Sequence, residues 1–187
     1  TGARHFNPVS VAQRAFPNRG SFDLDRPWIT VPPSTGVFQT EGIAVGISEE
    51  WIELKMGVVT AVAGALARTK EANRPCPWWS SLPLNLVYAP RQRHEEWRWQ
   101  NELGNVEHYG CSWVEMAQII RDSKLFLGCL SAPWVLANAL GKETVIFEPA
   151  EARHHEVFWF DHPRNLMVDW DARAVVKAVR EKLERLT

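Results

Sequence analysis

Cysteines and long apolar runs are scarce in this chain of 187 residues. Cys76, Cys111 and Cys129 are widely separated and form no Cys-x-x-Cys pair, which argues against a disulfide framework and against a zinc site. Unpaired cysteines are typical of a reducing compartment, so we expect a cytoplasmic protein. No apolar run approaches the roughly 18 residues that a membrane-spanning helix needs, so we predict no membrane span.

An excess of charge of either sign is also lacking. The chain has 21 Lys and Arg against 22 Asp and Glu, for a net charge of −1, which gives no indication of nucleic-acid binding or of an anionic membrane surface. The adjacent histidines of "RHHE" (153–156) have no third ligand at a suitable spacing. We therefore predict no metal site.

Tryptophan, by contrast, is abundant, with 10 residues in the chain. Trp78 and Trp79 are adjacent, and Trp97 and Trp99 flank a single arginine. Large amphipathic side chains of this kind either fill a core or form the contact surface for a partner or ligand. The sequence leaves both interpretations open.

The first 41 residues have no clear hydrophobic periodicity and contain five prolines. The stretch "RPWITVPPSTG" (26–36) is typical of a short extended piece that ends in a turn. We interpret residues 1–41 as an N-terminal arm or an interdomain connector.

From residue 42 the pattern alternates between short apolar strands and amphipathic or apolar helices. Apolar strands are expected where helices cover both faces of a sheet. The pattern predicts one α/β domain over 42–187, a doubly wound, mostly parallel Rossmann-like sheet of five to six strands. The predicted strands are 42–48, 84–90, 106–110, 124–129, 143–149 and 165–169, and the predicted helices are 56–69, 93–103, 113–123, 132–140 and 172–186.

Helix-capping signals support two of these helices. Ser112 precedes one helix with Glu115 three residues later, which is a capping-box pattern. The last helix has Asp169 or Asp171 as its N-cap.

In open α/β sheets, ligands bind beyond the carboxyl ends of the strands, near the switch in strand order. This rule selects loop residues as candidates for ligand binding. They are Ser48, Arg91, Arg93, Gly128, Cys129, Ser131, Ala132 and Glu148.

The turn between the fourth strand and its helix is the best candidate for anion binding. Gly128 and Ala132 allow close approach, the Ser131 hydroxyl can donate a hydrogen bond, and the helix N-terminus favours negative charge. The alternative is a tight strand–helix turn in which Ser131 is an ordinary N-cap. Glu148 is either a partner for ribose hydroxyls or a solvated charge at a strand end.

The stretch "MAQIIRDSKLFLGCLSAPWVLANALGKETVIFEP" (116–149) resembles the C-terminal half of two-domain, B-fold glycosyltransferases, in particular the heptosyltransferase-like group. The similarity covers about 42–187 and is most specific over 113–149. It implies a nucleotide-sugar donor as co-substrate, no other cofactor, and donor contacts from Gly128, Ser131, Ala132 and Glu148.

Two features depart from that family pattern. Cys129 stands where the family has Asn or Asp, and the first loop, Ser48-Glu49-Glu50, places two carboxylates where a diphosphate would lie. Lys55 and Arg91 are the nearest cations that could compensate. The resemblance also implies that the acceptor and the catalytic base belong to an N-terminal domain. Either that domain is missing from this chain or the fold has been kept for another purpose, so no catalytic residue is assigned.

Two functions follow from these patterns. The first is the donor-binding half of a glycosyltransferase, in which the 128–133 turn together with Arg91 or Arg93 stabilises the leaving diphosphate. The second is a non-catalytic Rossmann-like module that binds a protein partner, through exposed tryptophans, or another ligand. A nucleic-acid-directed transferase is disfavoured by the neutral charge.

Overall fold

A computed structural model of the chain describes residues 26–34, 42–47, 51–71, 82–88, 106–110, 112–149 and 162–187. The described strands and helices follow one another in the order that the sequence predicts. The strands are β1 (Ile43–Gly46), β2 (Leu84–Tyr88), β3 (Val106–Gly110), β4 (Leu125–Gly128), β5 (Thr144–Phe147) and β6 (Asn165–Val168). The helices are α1 (Ile52–Glu71), α2 (Trp113–Asp122), α3 (Ala132–Ala139) and α4 (Ala172–Arg185).

The six strands form one sheet in the order β3-β2-β1-β4-β5-β6, and every pair is parallel. This strand order is that of a Rossmann-like doubly wound sheet, whose direction of winding reverses between β1 and β4. The predicted fold class is therefore confirmed. Because β1 and β4 are neighbours, both strands end at the switch point.

Side chains alternate between the two faces of the sheet, and each face has its own apolar core. On one face, Val45, Leu127 and Phe147 pack beneath α1 and α4. On the other face, Phe126 and Ile146 pack with residues of α2 and α3. Both faces of the sheet are covered, which explains why the strands are almost entirely apolar.

Residues 26–34, part of the predicted arm, lie against the second of these faces without forming a helix or strand. Trp28 packs on the α2–α3 core, and its backbone N–H donates to the Ala139 carbonyl at 2.7 Å. Gln118 and Arg121 of α2 donate to backbone carbonyls of residues 31–33. This segment therefore covers the helical layer rather than the ligand-binding edge.

The predicted caps agree with the structure. Ser112 accepts a hydrogen bond from the Glu115 backbone, and Glu115 accepts one from the Ser112 N–H, so the capping box of α2 is complete. Asp171, rather than Asp169, is the N-cap of α4 and accepts from the Arg173 and Ala174 N–H groups.

Several predictions fall outside the described residues. They concern the helix over 93–103, the tryptophan pairs, Cys76 and Cys111, and the "RHHE" stretch. Within the described ranges, no helix has the length and apolar character needed to cross a membrane.

β1 and β4 approach each other closely at their carboxyl ends, where Gly46 is paired with Gly128. A Cβ atom on Gly128 would lie 2.2 Å from the Gly46 carbonyl oxygen. A Cβ atom on Gly46 would lie 2.7 Å from the Pro133 side chain, at the start of α3. Both glycines are therefore required by the packing at the switch point.

We predict that Gly128→Ala destabilises the fold by roughly 1–3 kcal/mol, because the new methyl group must displace the backbone of β1. Gly57→Ala is the matched control, since a Cβ at this exposed position of α1 meets nothing within 4 Å. Alanine there should stabilise the helix by about 0.5–1 kcal/mol. Urea unfolding of the two variants measures both effects, and equal changes in stability would contradict this account of the switch point.

Candidate functional site

The candidate site lies at the carboxyl edge of the three strands β1, β4 and β5. β4 ends at Gly128 and turns through residues 129–131 into α3, while β5 ends at Phe147 and is followed by Glu148. Since β4 and β5 are adjacent and parallel, the turn and Glu148 come together at one edge of the sheet. This is the place that the sheet-topology rule assigns to a ligand.

The N-terminus of α3 is not capped by its own serine side chain. Ser131 has the extended backbone of an N-cap, and its carbonyl accepts from the Val135 N–H at 3.2 Å. Its hydroxyl, however, donates to the Cys129 carbonyl at 3.1 Å and accepts nothing from the helix. Ser131 therefore occupies the N-cap position of α3, but its side chain does not cap the helix.

The electrostatics at the start of α3 suit an anion. Its first turn contains no acidic residue and has Pro133 near its start. The first backbone N–H groups of any helix have no partner within that helix, and the helix dipole adds partial positive charge there. Ser131 and Ala132 therefore lie where backbone donors can meet a ligand.

Glu148 is buried, with only 6% of its surface exposed. Its carboxylate accepts a hydrogen bond from the Leu130 N–H at 2.5 Å, and its own N–H donates to the Val168 carbonyl at 3.1 Å. The alternative of a solvated strand-end charge is therefore wrong. Glu148 instead ties the 129–131 turn to the ends of β5 and β6.

Gly128 and Cys129 contribute to the site differently from the other candidates. The space beside the Gly128 Cα atom is occupied by the Gly46 carbonyl, so this glycine permits contact between strands. The Cys129 side chain is fully buried in the core under α1 and α4, with its Sγ 4.0 Å from the same carbonyl. Any ligand contact from Cys129 would therefore involve its backbone.

A buried cation lies at the same edge. Lys55, in the first turn of α1, is 3% exposed, and its Nζ lies 6.0 Å from the centre of the Trp170 ring. The Trp170 indole N–H donates to the Phe147 carbonyl at 3.1 Å, directly before Glu148. The Trp51 ring meets Trp170 edge to face, with 6.1 Å between ring centres.

Sequence reasoning did not select Trp51 or Trp170 as site residues. The signal was present, because Trp51 follows the loop after β1 and Trp170 follows β6 by two residues. Applying the carboxyl-edge rule to β6 as well would have identified Trp170.

A second buried cation has a structural role at the opposite edge. Lys182 of α4 forms an ion pair with Glu143, which precedes β5, and donates to the Pro163 and Arg164 carbonyls. Among the described residues, the buried side chains of Lys, Arg, Asp and Glu are those of Lys55, Glu148 and Lys182. Two of the three therefore lie at the candidate site.

Three candidate residues, Ser48, Arg91 and Arg93, lie outside the described residues. The described ranges contain no group of three or more His, Cys, Asp or Glu side chains that could hold a metal ion. The described part of the site therefore consists of the 128–132 turn, Glu148, Lys55 and the Trp51–Trp170 pair.

The fold is similar to that of enzymes that act on nucleotide-linked sugars. One similar structure is the E. coli heptosyltransferase WaaC with ADP-2-deoxy-2-fluoro heptose, at a TM-score of 0.54 and 14% identity, covering 83% of this chain and 45% of that one. Another is the UDP-GlcNAc 2-epimerase from Neisseria meningitidis bound to UDP-GlcNAc. Its TM-score is 0.54 and its identity 10%, and the match covers 94% of this chain and 40% of that one.

A third is the UDP-GlcNAc 2-epimerase from Methanocaldococcus jannaschii, with a TM-score of 0.51 and 12% identity, covering 77% of this chain and 39% of that one. The chain thus spans less than half the length of each of these structures. No family model and no curated protein matches its sequence. The likeness establishes a glycosyltransferase-like, Rossmann-like fold.

We predict that Glu148→Ala destabilises the protein by about 1–2 kcal/mol, because it leaves the Leu130 N–H without its acceptor. Glu148→Gln keeps an acceptor oxygen and should therefore destabilise the protein less than Glu148→Ala. The exposed Glu184 of α4 provides a control, and Glu184→Ala should change stability by no more than about 0.5 kcal/mol. Urea unfolding tests this series, and equal losses for all three variants would show that the Glu148–Leu130 bond does not stabilise the turn.

Proposed function

We propose that this chain is the donor-binding part of a glycosyltransferase-like enzyme and that it binds a nucleoside diphosphate-sugar at the carboxyl edge of β4 and β5. The observation that carries the proposal is the start of α3, where the Ser131 hydroxyl is directed to the Cys129 carbonyl and does not cap the helix. The nucleotide-sugar is a co-substrate, and no further cofactor is proposed.

The diphosphate would lie at the N-terminus of α3. The backbone N–H groups of Ser131 and Ala132 can donate to phosphate oxygens, and the helix dipole favours the negative charge of the phosphate. The Ser131 hydroxyl can rotate from the Cys129 carbonyl towards a phosphate oxygen. Lys55 lies at the same edge but beside Trp170, on the α1 side of the sheet, and is not assigned to the diphosphate.

Glu148 would accept hydrogen bonds from the ribose hydroxyls. A carboxylate has about four lone-pair sites, so its bond from the Leu130 N–H does not exhaust its capacity. Because hydroxyls are neutral donors, they gain from the negative charge that would repel a phosphate. Glu148 therefore selects the ribose for this position and directs the diphosphate towards α3.

In sugar transfer the bond between the sugar and the diphosphate breaks, and negative charge develops on the departing diphosphate. Donors fixed at the start of α3 stabilise that charge without rearranging, which is how enzymes lower such barriers. We propose Arg91 and Arg93 as additional diphosphate partners. The base that activates the acceptor would come from another domain.

A second candidate is a module that binds a protein partner. Among the described residues, four of the five exposed large apolar side chains lie at helix starts on the carboxyl edge: Trp51, Leu54, Trp113 and Val114. A contiguous apolar patch is typical of an interface, and these side chains on two helices would have to form one together to bind a partner. This function would stand if no nucleotide binds.

Calorimetric titration with ADP, GDP, UDP and CDP and their glucose-linked forms tests the donor site. We expect saturable binding that Ser131→Asp weakens at least about tenfold, because the new carboxylate repels phosphate at short range. The same change should not harm folding, since aspartate is a favourable N-cap.

Ser112→Asp is the matched control. It places the same charge at the N-cap of α2, beyond β3, which is three strands away from β4. It should leave nucleotide binding unchanged. If the folded wild-type protein gives no heat with any of these compounds, the donor-binding proposal is rejected.

A further inference from the structure

Trp51 combines a strained backbone with a large exposed ring. Its φ angle is 58°, and it is the one non-glycine residue with positive φ among the described residues. Its surface is 64% exposed. A bulky residue in the left-handed region costs about 1–2 kcal/mol, and an exposed ring recovers little of that cost by burial.

Burial therefore does not explain this residue, and its edge-to-face contact with Trp170 offsets at most about 0.5–1.5 kcal/mol of the strain. Its carbonyl accepts the Lys55 N–H at 3.0 Å and begins α1, but any residue provides a carbonyl and glycine would adopt this φ without strain. Strained residues persist most often at binding and catalytic sites. The exposed indole is what distinguishes Trp51 from a glycine at this position.

The indole is held in place at the edge of the candidate site. Trp170 meets it edge to face at an interplanar angle of 65°, and Trp170 is itself fixed to the Phe147 carbonyl. In an edge-to-face contact the two rings do not cover each other face to face, and 64% of the Trp51 surface remains exposed. The Trp51 ring is therefore both oriented and accessible.

The order of groups across the edge matches the order of groups in a nucleotide. α3, the proposed phosphate site, lies on one face of the sheet, and Glu148, the proposed ribose site, stands at the end of β5. The Trp51–Trp170 pair lies beyond it, on the side of α1 and α4. A nucleotide laid from phosphate to ribose across this edge brings its base to the tryptophans.

We propose that Trp51 is the stacking surface for the nucleobase of the donor, an inference that rests on the proposed nucleotide site at residues 128–132 and Glu148. Every base presents a flat π face, so stacking of this kind tolerates different bases. We therefore expect ADP and UDP to bind with similar affinity.

Calorimetric titration of the whole chain with ADP, UDP and inorganic pyrophosphate tests this role. Trp51→Gly removes the ring and suits the left-handed backbone, so relief of strain offsets the lost contact with Trp170 and the variant should fold with a stability similar to that of the wild type. It should weaken ADP and UDP binding by about 5- to 100-fold, the usual effect of losing one base–aromatic stack. Pyrophosphate, which has no base, should bind unchanged.

Two further variants sharpen the result. Trp51→Phe keeps a stacking ring and should retain most of the nucleotide affinity. Trp113→Gly removes a ring that is 55% exposed at the start of α2. It should change neither the affinity for the nucleotides nor the affinity for pyrophosphate.

Each contrary result is distinct. Unchanged ADP and UDP affinity in Trp51→Gly would overturn the stacking role while leaving the donor site intact. Equal losses of affinity for pyrophosphate and the nucleotides would show that Trp51 acts on the phosphate site. That result would also overturn the stacking role. A wild-type protein that binds none of the three compounds would overturn both the stacking role and the proposed function.

Discussion

The close approach of β1 and β4 at Gly46 and Gly128 determines the geometry of the ligand-binding edge. The Gly46 carbonyl occupies the space that a side chain on Gly128 would need, and Gly46 in turn leaves room for Pro133. As a result the two central strands end side by side, and α3 begins directly over the switch point. Moving β4 relative to β5 would displace the start of α3 from Glu148.

Two neighbouring groups at this edge favour ligand groups of different charge. The start of α3 favours an anion, yet a buried carboxylate, that of Glu148, holds the Leu130 N–H next to it. A ligand that places neutral hydroxyls against the carboxylate and phosphates against the helix satisfies both groups, and a nucleoside diphosphate does so. A simple anion such as phosphate would satisfy only one of them.

Much of the fold could be predicted because short apolar strands and regular helices alternate from β1 onwards. The capping box at Ser112 and the turn after Gly128 were predicted from local sequence, and both are present in the structure. Burial of Glu148 could not be predicted, because it depends on the turn after β4 and the end of β6 closing around one side chain. The packing role of Gly128 could not be predicted either. The atom that leaves no room for a Cβ at this position belongs to Gly46, which lies 82 positions earlier in the sequence.

The most direct measurement is hydrogen exchange of the backbone amides with and without a saturating nucleoside diphosphate. The account predicts added protection at residues 129–135 and around Glu148, with the amino edge of the sheet near Glu143 and Lys182 unchanged. Binding without protection at the start of α3, or protection confined to the outer surfaces of α1 and α4, would contradict the assignment of the donor site to this turn.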